Sequence, residues 1–260
     1  MKRLLIVAAM VGMAGCGTPH MTSPVVETHS QAYDESRLAA FSGNPAGALP
    51  QGWSPLIIHK AKKPTAYQLV AEQNKTILYA RAEASASGLM HAVDIDPSRE
   101  PLLSWRWRIG SLIASADNMQ RDLEDSPVRI ILGFDGDKES LPFPDQILFE
   151  TVKVLTGNDM PYATLMYIWE NRAPVGSVIP SPRTGRVKML VAASGQDGIG
   201  QWHTLERNIV EDFERAFGEK PGRLIGIGVL TDTDNTGETV EAWYGDIRMQ
   251  HLPRVAAKEK

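Results

Sequence analysis

Leu102-Leu103-Ser104-Trp105-Arg106-Trp107-Arg108-Ile109 alternates large apolar and polar residues with a period of two over its second half. A β-strand sends successive side chains to opposite faces, which puts Trp105 and Trp107 on a core face and Arg106 and Arg108 on the other. Short segments of similar character recur on both sides of it. Strands are predicted at residues 56–59, 66–72, 76–83, 88–95, 102–109, 128–134, 163–170, 186–193, 224–231 and 241–249, separated by turn-forming stretches such as Gln73-Asn74-Lys75 and Asp234-Asn235-Thr236-Gly237. Two segments break the pattern. Phe143, Ile147, Leu148, Val152 and Leu155 repeat at helical spacing ahead of Gly157, a C-terminal cap. Ile209, Val210, Phe213, Ala216 and Phe217 form a second stripe behind Asn208, and Glu211 three residues later completes a capping box. Both helices are expected to lie over the sheets. Ten strands and two helices do not alternate as β-α-β units, and no longer repeat is present. The expected fold is therefore mainly β: a sandwich of two antiparallel sheets with two short helices, as one domain over residues 37–254.

The chain has 260 residues, of which 43% are hydrophobic, enough for a sizeable core. Its 27 basic and 31 acidic residues leave a net charge of −4, which speaks against a nucleic-acid partner, because phosphate contacts need clustered positive charge. Its single cysteine excludes an intramolecular disulfide.

That cysteine ends a stretch with the features of a secretory signal: Lys2 and Arg3, an apolar run from Leu4 to Met13, then Ala14, Gly15 and Cys16. The run is shorter than the roughly 20 residues a membrane-crossing helix needs. Met13-Ala14-Gly15-Cys16 resembles the bacterial lipobox, which implies cleavage before Cys16 and lipidation of its side chain and amine. By the same resemblance Gly17, in place of aspartate, implies the outer membrane, with the protein facing the periplasm. Residues 17–36 are polar with two prolines and are expected to be a flexible tether, and residues 255–260 a solvated tail.

Recognisable catalytic frames are absent from the sequence: no HExxH, no G-x-S-x-G and no phosphate-binding glycine loop. No cofactor is therefore expected, calcium excepted. The segment Thr231-Asp232-Thr233-Asp234-Asn235-Thr236-Gly237-Glu238 gathers hard oxygen donors, and Asp232, Asp234 and Asn235, joined by Asp246, are candidate calcium ligands, although the EF-hand spacing is missing. The competing reading is an Asx turn. Arg106 and Arg108 are candidate donors to an anionic or hydroxyl-rich ligand or partners for carboxylates. Asp125 and Arg129 are expected to pair with each other or with that arginine face. Trp169 and Glu170, in Tyr167-Ile168-Trp169-Glu170-Asn171-Arg172, end a strand, where sandwiches often carry function. Gly226 and Gly228 mark a place where a ligand or another backbone approaches the sheet closely.

Taken in order, WRWR, RxxxDxPxR, YxWENR, RNxxxDF, FGExP, TDTDNTG and WYGDI make the chain similar to the domain-of-unknown-function 3047 family over about residues 41–252. Leu123-Glu124 departs from that pattern. The resemblance implies a bacterial envelope protein, offers no catalytic residue to carry over, and places weight on Arg106, Arg108, Asp125, Arg129, Trp169, Arg207 and Tyr244 as well as on the acidic loop. The early Gly52-Trp53 and the final Asp246-Ile247 also resemble carbohydrate-binding jelly rolls. The expectation is thus a lipid-anchored binding module for a glycan or other polar ligand, its groove floored by Gly226 and Gly228 and edged by Arg106, Arg108, Trp169 and Tyr244. A glycan hydrolase using two of Asp125, Glu170, Asp212, Asp232, Asp234 and Asp246, and a structural envelope factor, are the alternatives.

Overall fold

The computed structural model describes residues 38–157 and 159–252. The expected signal, the expected lipidation site Cys16, the expected tether and the expected tail lie outside the described residues. Thirteen strands form two sheets. The seven-stranded sheet runs β1 (Trp53–Leu56), β4 (Ala86–Ile95), β11 (Leu224–Asp232), β6 (Ser126–Phe134), β7 (Ala163–Glu170), β9 (Val187–Ser194) and β8 (Val178–Pro180). The other runs β10 (His203–Asn208), β5 (Leu102–Ile109), β12 (Thr239–Tyr244), β3 (Lys75–Glu83) and β2 (Ala66–Glu72), with β13 (Arg248–Gln250) also paired to β5. The mainly β sandwich expected from the sequence is the fold observed.

Local chemistry explains the elements. Gln73 and Asn74 both hold positive φ (48° and 63°), the backbone a two-residue hairpin needs, and they join β2 to β3 in register. In β5 burial alternates along the whole strand, with Trp105, Trp107 and Ile109 inside. Every residue of β6 is buried, since its near-continuous apolar run is covered on both faces. Between the sheets, Trp105 stacks on Tyr167 at 4.8 Å and meets Trp107 edge-on at 5.4 Å. The second helix, α2 (Ile209–Phe217), starts as expected: Asn208 accepts N–H bonds from Val210 and Glu211 and donates to the Glu211 carboxylate. Its Phe213 meets Phe134 of β6 at 4.7 Å.

Four expectations need correction. The first strand lies at Trp53–Leu56, not 56–59, because it pairs with β4 through Trp53 and His91. Strands β8 and β10 were not expected, since β8 is three residues long and β10 lacks a clear apolar alternation, and the strand expected over 241–249 is divided into β12 and β13. One pairing, β7 with β9, is parallel. In the helix over 143–156, α1 (Phe143–Thr156), the expected stripe is only partly covered: Phe143, Ile147 and Leu155 are 72%, 50% and 49% exposed and Leu148 and Val152 half-buried, while Phe149 is the buried aromatic. Asp145 in its first turn accepts a 2.7 Å bond from the Thr184 hydroxyl, a tie to the loop before β9.

Candidate functional site

The predicted polar residues separate into a sealed group and an open one. In the sealed group the Arg129 side chain, 2% exposed, donates from Nε and Nη2 to the two carboxylate oxygens of Asp232, at 2.9 and 3.1 Å. Nη2 also reaches the Glu124 carbonyl at 3.0 Å. Asp125 accepts the backbone N–H groups of Asn235 (3.4 Å) and Thr236 (2.8 Å), which ties the loop before β6 to the turn after β11. One carboxylate oxygen each of Asp125, Asp232 and Asp234 lies within 4.8 Å of the others. Burial pushes the Asp232 carboxyl up to about 6 against the pull of Arg129, and the charge of Asp125 adds to the rise. The chain answers these three carboxylates with its own cations: Arg129, and Lys62, whose ammonium lies 2.5 Å from Asp234. Asn235 spends its side-chain amide on the Glu124 carbonyl. Asp246 does not join them; it accepts from the Ser42 backbone and hydroxyl and from Arg248. Of the four expected calcium ligands, Asp232 and Asp234 stand together in this cluster beside Asp125, whereas Asp246 lies apart from it.

The expected groove also needs correction. Trp169 (1% exposed) and Tyr244 (0%) belong to the core between the sheets. The Tyr244 hydroxyl bonds Thr231 and the Leu230 carbonyl. Gly226 and Gly228 lie in the other sheet from Arg106, and a Cβ on Gly228 would stand 3.0 Å from the Met90 side chain, so Met90 covers the close approach that the glycines allow. Glu170 accepts the N–H groups of Arg172 and Ala173 and closes a turn. Arg207 pairs with Asp212, which also accepts from Tyr167 at 2.8 Å, joining the start of α2 to β7.

The open group occupies the outer face of the sheet that carries β5. Register places Arg108 of β5 beside Trp243 of β12, Trp243 beside Tyr79 of β3, and Tyr79 beside Gln68 of β2, one row across four neighbouring strands. The Arg108 guanidinium lies 4.3 Å from the Trp243 ring centroid and 5.0 Å from that of Trp202, and Arg106 lies 4.4 Å from Trp202. Glu72, the last residue of β2, accepts from Arg108 Nη2 at 2.7 Å and from Trp202 Nε1 at 2.8 Å. Since β2 and β10 are opposite edges, and Trp202 directly precedes β10, this contact requires the sheet to curl around the row. Burial raises the Glu72 pKa, but the bonds from Trp202 and Arg108 outweigh it and hold the carboxyl below its ordinary range. Beside the row a cavity of about 220 Å³ is lined by Arg106, Lys75 and Arg248, by Asp246, and by the hydroxyls of Ser42, Thr76, Ser104 and Thr204.

The matched family model, protein of unknown function (DUF3047), spans residues 51–248 and so includes the whole row. The chain belongs to that family. No curated protein sequence matches it. Solved structures with a similar layout include the xyloglucanase domain of NopAA, a type three effector from Sinorhizobium fredii, in complex with cellobiose (9% identity, TM-score 0.41, 82% of this chain and 100% of that one). Another is the family 30 carbohydrate-binding module of a cellulosomal cellulase of Clostridium thermocellum (8%, TM-score 0.34, 84% and 95%). A third is a β-1,2-glucanase from Parabacteroides distasonis (10%, TM-score 0.36), where 80% of this chain is covered but it spans about a quarter of the enzyme, 24%. At these scores nothing about function rests on the likeness.

Trp202, Trp243, Tyr79, Glu72 and Lys75 were not among the residues singled out as ligand contacts. The signal for Trp243 was present: Val240, Ala242 and Tyr244 alternate inward, which turns Trp243 outward. Trp202 had no such signal, because β10 was not recognisable.

Proposed function

We propose that this protein is a lipid-anchored bacterial envelope module, without catalytic activity, that binds a glycan or other polar envelope ligand on the curled outer face of the β10–β2 sheet. The observation that carries the reading is the disposition of the indoles. Of six tryptophans, Trp53, Trp105, Trp107 and Trp169 are buried, whereas Trp202 and Trp243 are half-buried and share one surface with Arg106, Arg108 and Tyr79. Flat apolar rings set among charged and hydroxyl groups match the alternation of C–H faces and hydroxyls on a sugar. Binding is proposed over catalysis because each carboxylate considered for acid/base work is engaged. Asp125 and Glu170 accept backbone N–H groups, and Asp212, Asp232, Asp234 and Asp246 pair with Arg207, Arg129, Lys62 and Arg248. Attachment through Cys16 would place this face at the periplasmic side of the outer membrane. Glycan-array and peptidoglycan pull-down experiments test the reading: retention by the unaltered chain, lost in Trp243→Ala, is expected. No retention on any glycan sinks the binding module and leaves a tethered scaffold. Cys16→Ser tests the anchor separately, and the variant is expected to leave the membrane fraction.

A further inference from the structure

The geometry points to an acidic sugar, one that carries a carboxylate, as the ligand of the cavity beside Arg106. This rests on reading the curled face as a glycan-binding surface and adds the ligand's charge to it. Three cations, Arg106, Lys75 and Arg248, face the cavity with one carboxylate, Asp246, in a chain whose net charge is negative. Asp246 is already matched by Arg248 at 3.1 Å and by Ser42. Among the described residues neither Arg106 nor Lys75 has a hydrogen-bond or ion-pair acceptor for its side chain. An arginine fork without an acceptor is a ready donor pair for a planar carboxylate.

The fork is also held in place. The Gly245 N–H donates to the Arg106 carbonyl at 2.9 Å, and a Cβ on Gly245 would collide with the Arg106 side chain, so the glycine between β12 and β13 is what lets that side chain lie flat. One side of the guanidinium then rests on the Trp202 ring, and the hydroxyls of Ser104 and Thr204 stand at the same cavity. Cations and hydroxyls together suit a sugar ring that bears both hydroxyls and a carboxylate. At about 220 Å³ the cavity is smaller than the ~300–1,000 Å³ that takes a drug-sized ligand, so it holds one sugar of a chain whose neighbours lie along the Trp243 row.

Calorimetric titration of the full chain with trigalacturonate, neutral galactotriose and orthophosphate, at low and high salt, tests the inference. Trigalacturonate is expected to bind about tenfold or more tighter than the neutral trimer, as one charge-assisted hydrogen bond warrants, and to lose that advantage at high salt. Arg106→Gln and Gly245→Val are expected to remove the advantage, so that the acidic and neutral trimers bind alike. Lys75→Gln, a change at an exposed residue that leaves folding intact, is expected to reduce it. Equal affinity for the two trimers, or an unchanged advantage in Arg106→Gln, overturns the acidic ligand while leaving the glycan-binding face standing. Displacement of trigalacturonate by an equal concentration of orthophosphate overturns the sugar in favour of a plain anion. Binding of neither trimer overturns the acidic sugar, and the glycan-binding face itself falls only if the glycan array also shows no retention.

Discussion

Arg108 and Trp243, register partners across β5 and β12, are stacked, with the guanidinium 4.3 Å from the indole centroid. The contact joins two strands on the face away from the core, and Glu72 fixes the other edge of the guanidinium. Arg108→Lys keeps the charge but loses the planar stack and the fork. We expect a loss of about 0.5–2 kcal/mol in urea denaturation, together with a shift in tryptophan emission. An unchanged midpoint and spectrum would show that the stack contributes nothing.

Arg129 and Asp232 stand at the opposite extreme, because the pair is sealed from water. Removing one member strands a buried charge. Asp232→Ala should therefore cost about 3–5 kcal/mol, whereas the double replacement Arg129→Met with Asp232→Leu should cost clearly less. Equal losses in single and double variants would mean that packing, not the stranded charge, sets the cost.

Acid should loosen the curled face. The Glu72 carboxyl is held low in the folded protein and returns to roughly 4.3 when the chain unfolds, so the folded state binds fewer protons near that pH. The stability it contributes is complete above the unfolded value and is lost as pH falls through the lower folded one. Melting curves below about pH 4.3 should therefore drop more steeply in the unaltered chain than in Glu72→Gln. Superimposable acid limbs in the two proteins would rule this out.

The orientation of α1 makes a contrast between two phenylalanines. Phe149 is 7% exposed and Phe143 is 72% exposed. Phe149→Ala should cost about 3–5 kcal/mol, and Phe143→Ala should stay within about 0.5 kcal/mol of the unaltered chain. A reversed order would mean that the helix buries the other stripe.

Within the strands, legibility followed side-chain alternation. The limits of β2, β5 and β7 are those expected from the sequence, and β5 buries Trp105 and Trp107 as its pattern requires. The helix α2 was equally readable, because Asn208, Glu211 and Gly218 announce its ends. In α1 the same kind of reading was only partly right: apolar residues occur all around the helix, so spacing alone did not single out Phe149, which is buried while Phe143, Ile147 and Leu155 are exposed. The site divided in the same manner. Arg106 and Arg108 were placed correctly on an outer face, whereas Trp169 and Tyr244, assigned to a groove edge, fill the core.

From the order of its residues alone, the chain determined that it would form paired sheets, which faces of its clearest strands would be dry, and which family it belongs to, since all of these depend on local periodicity and short motifs. Only the tertiary structure decided which charges meet. Arg129 found Asp232 across 103 positions and Arg108 found Glu72 across 36. Such pairings are set by strand order and sheet curvature, which bring distant residues within hydrogen-bond reach and leave no periodic trace in the sequence.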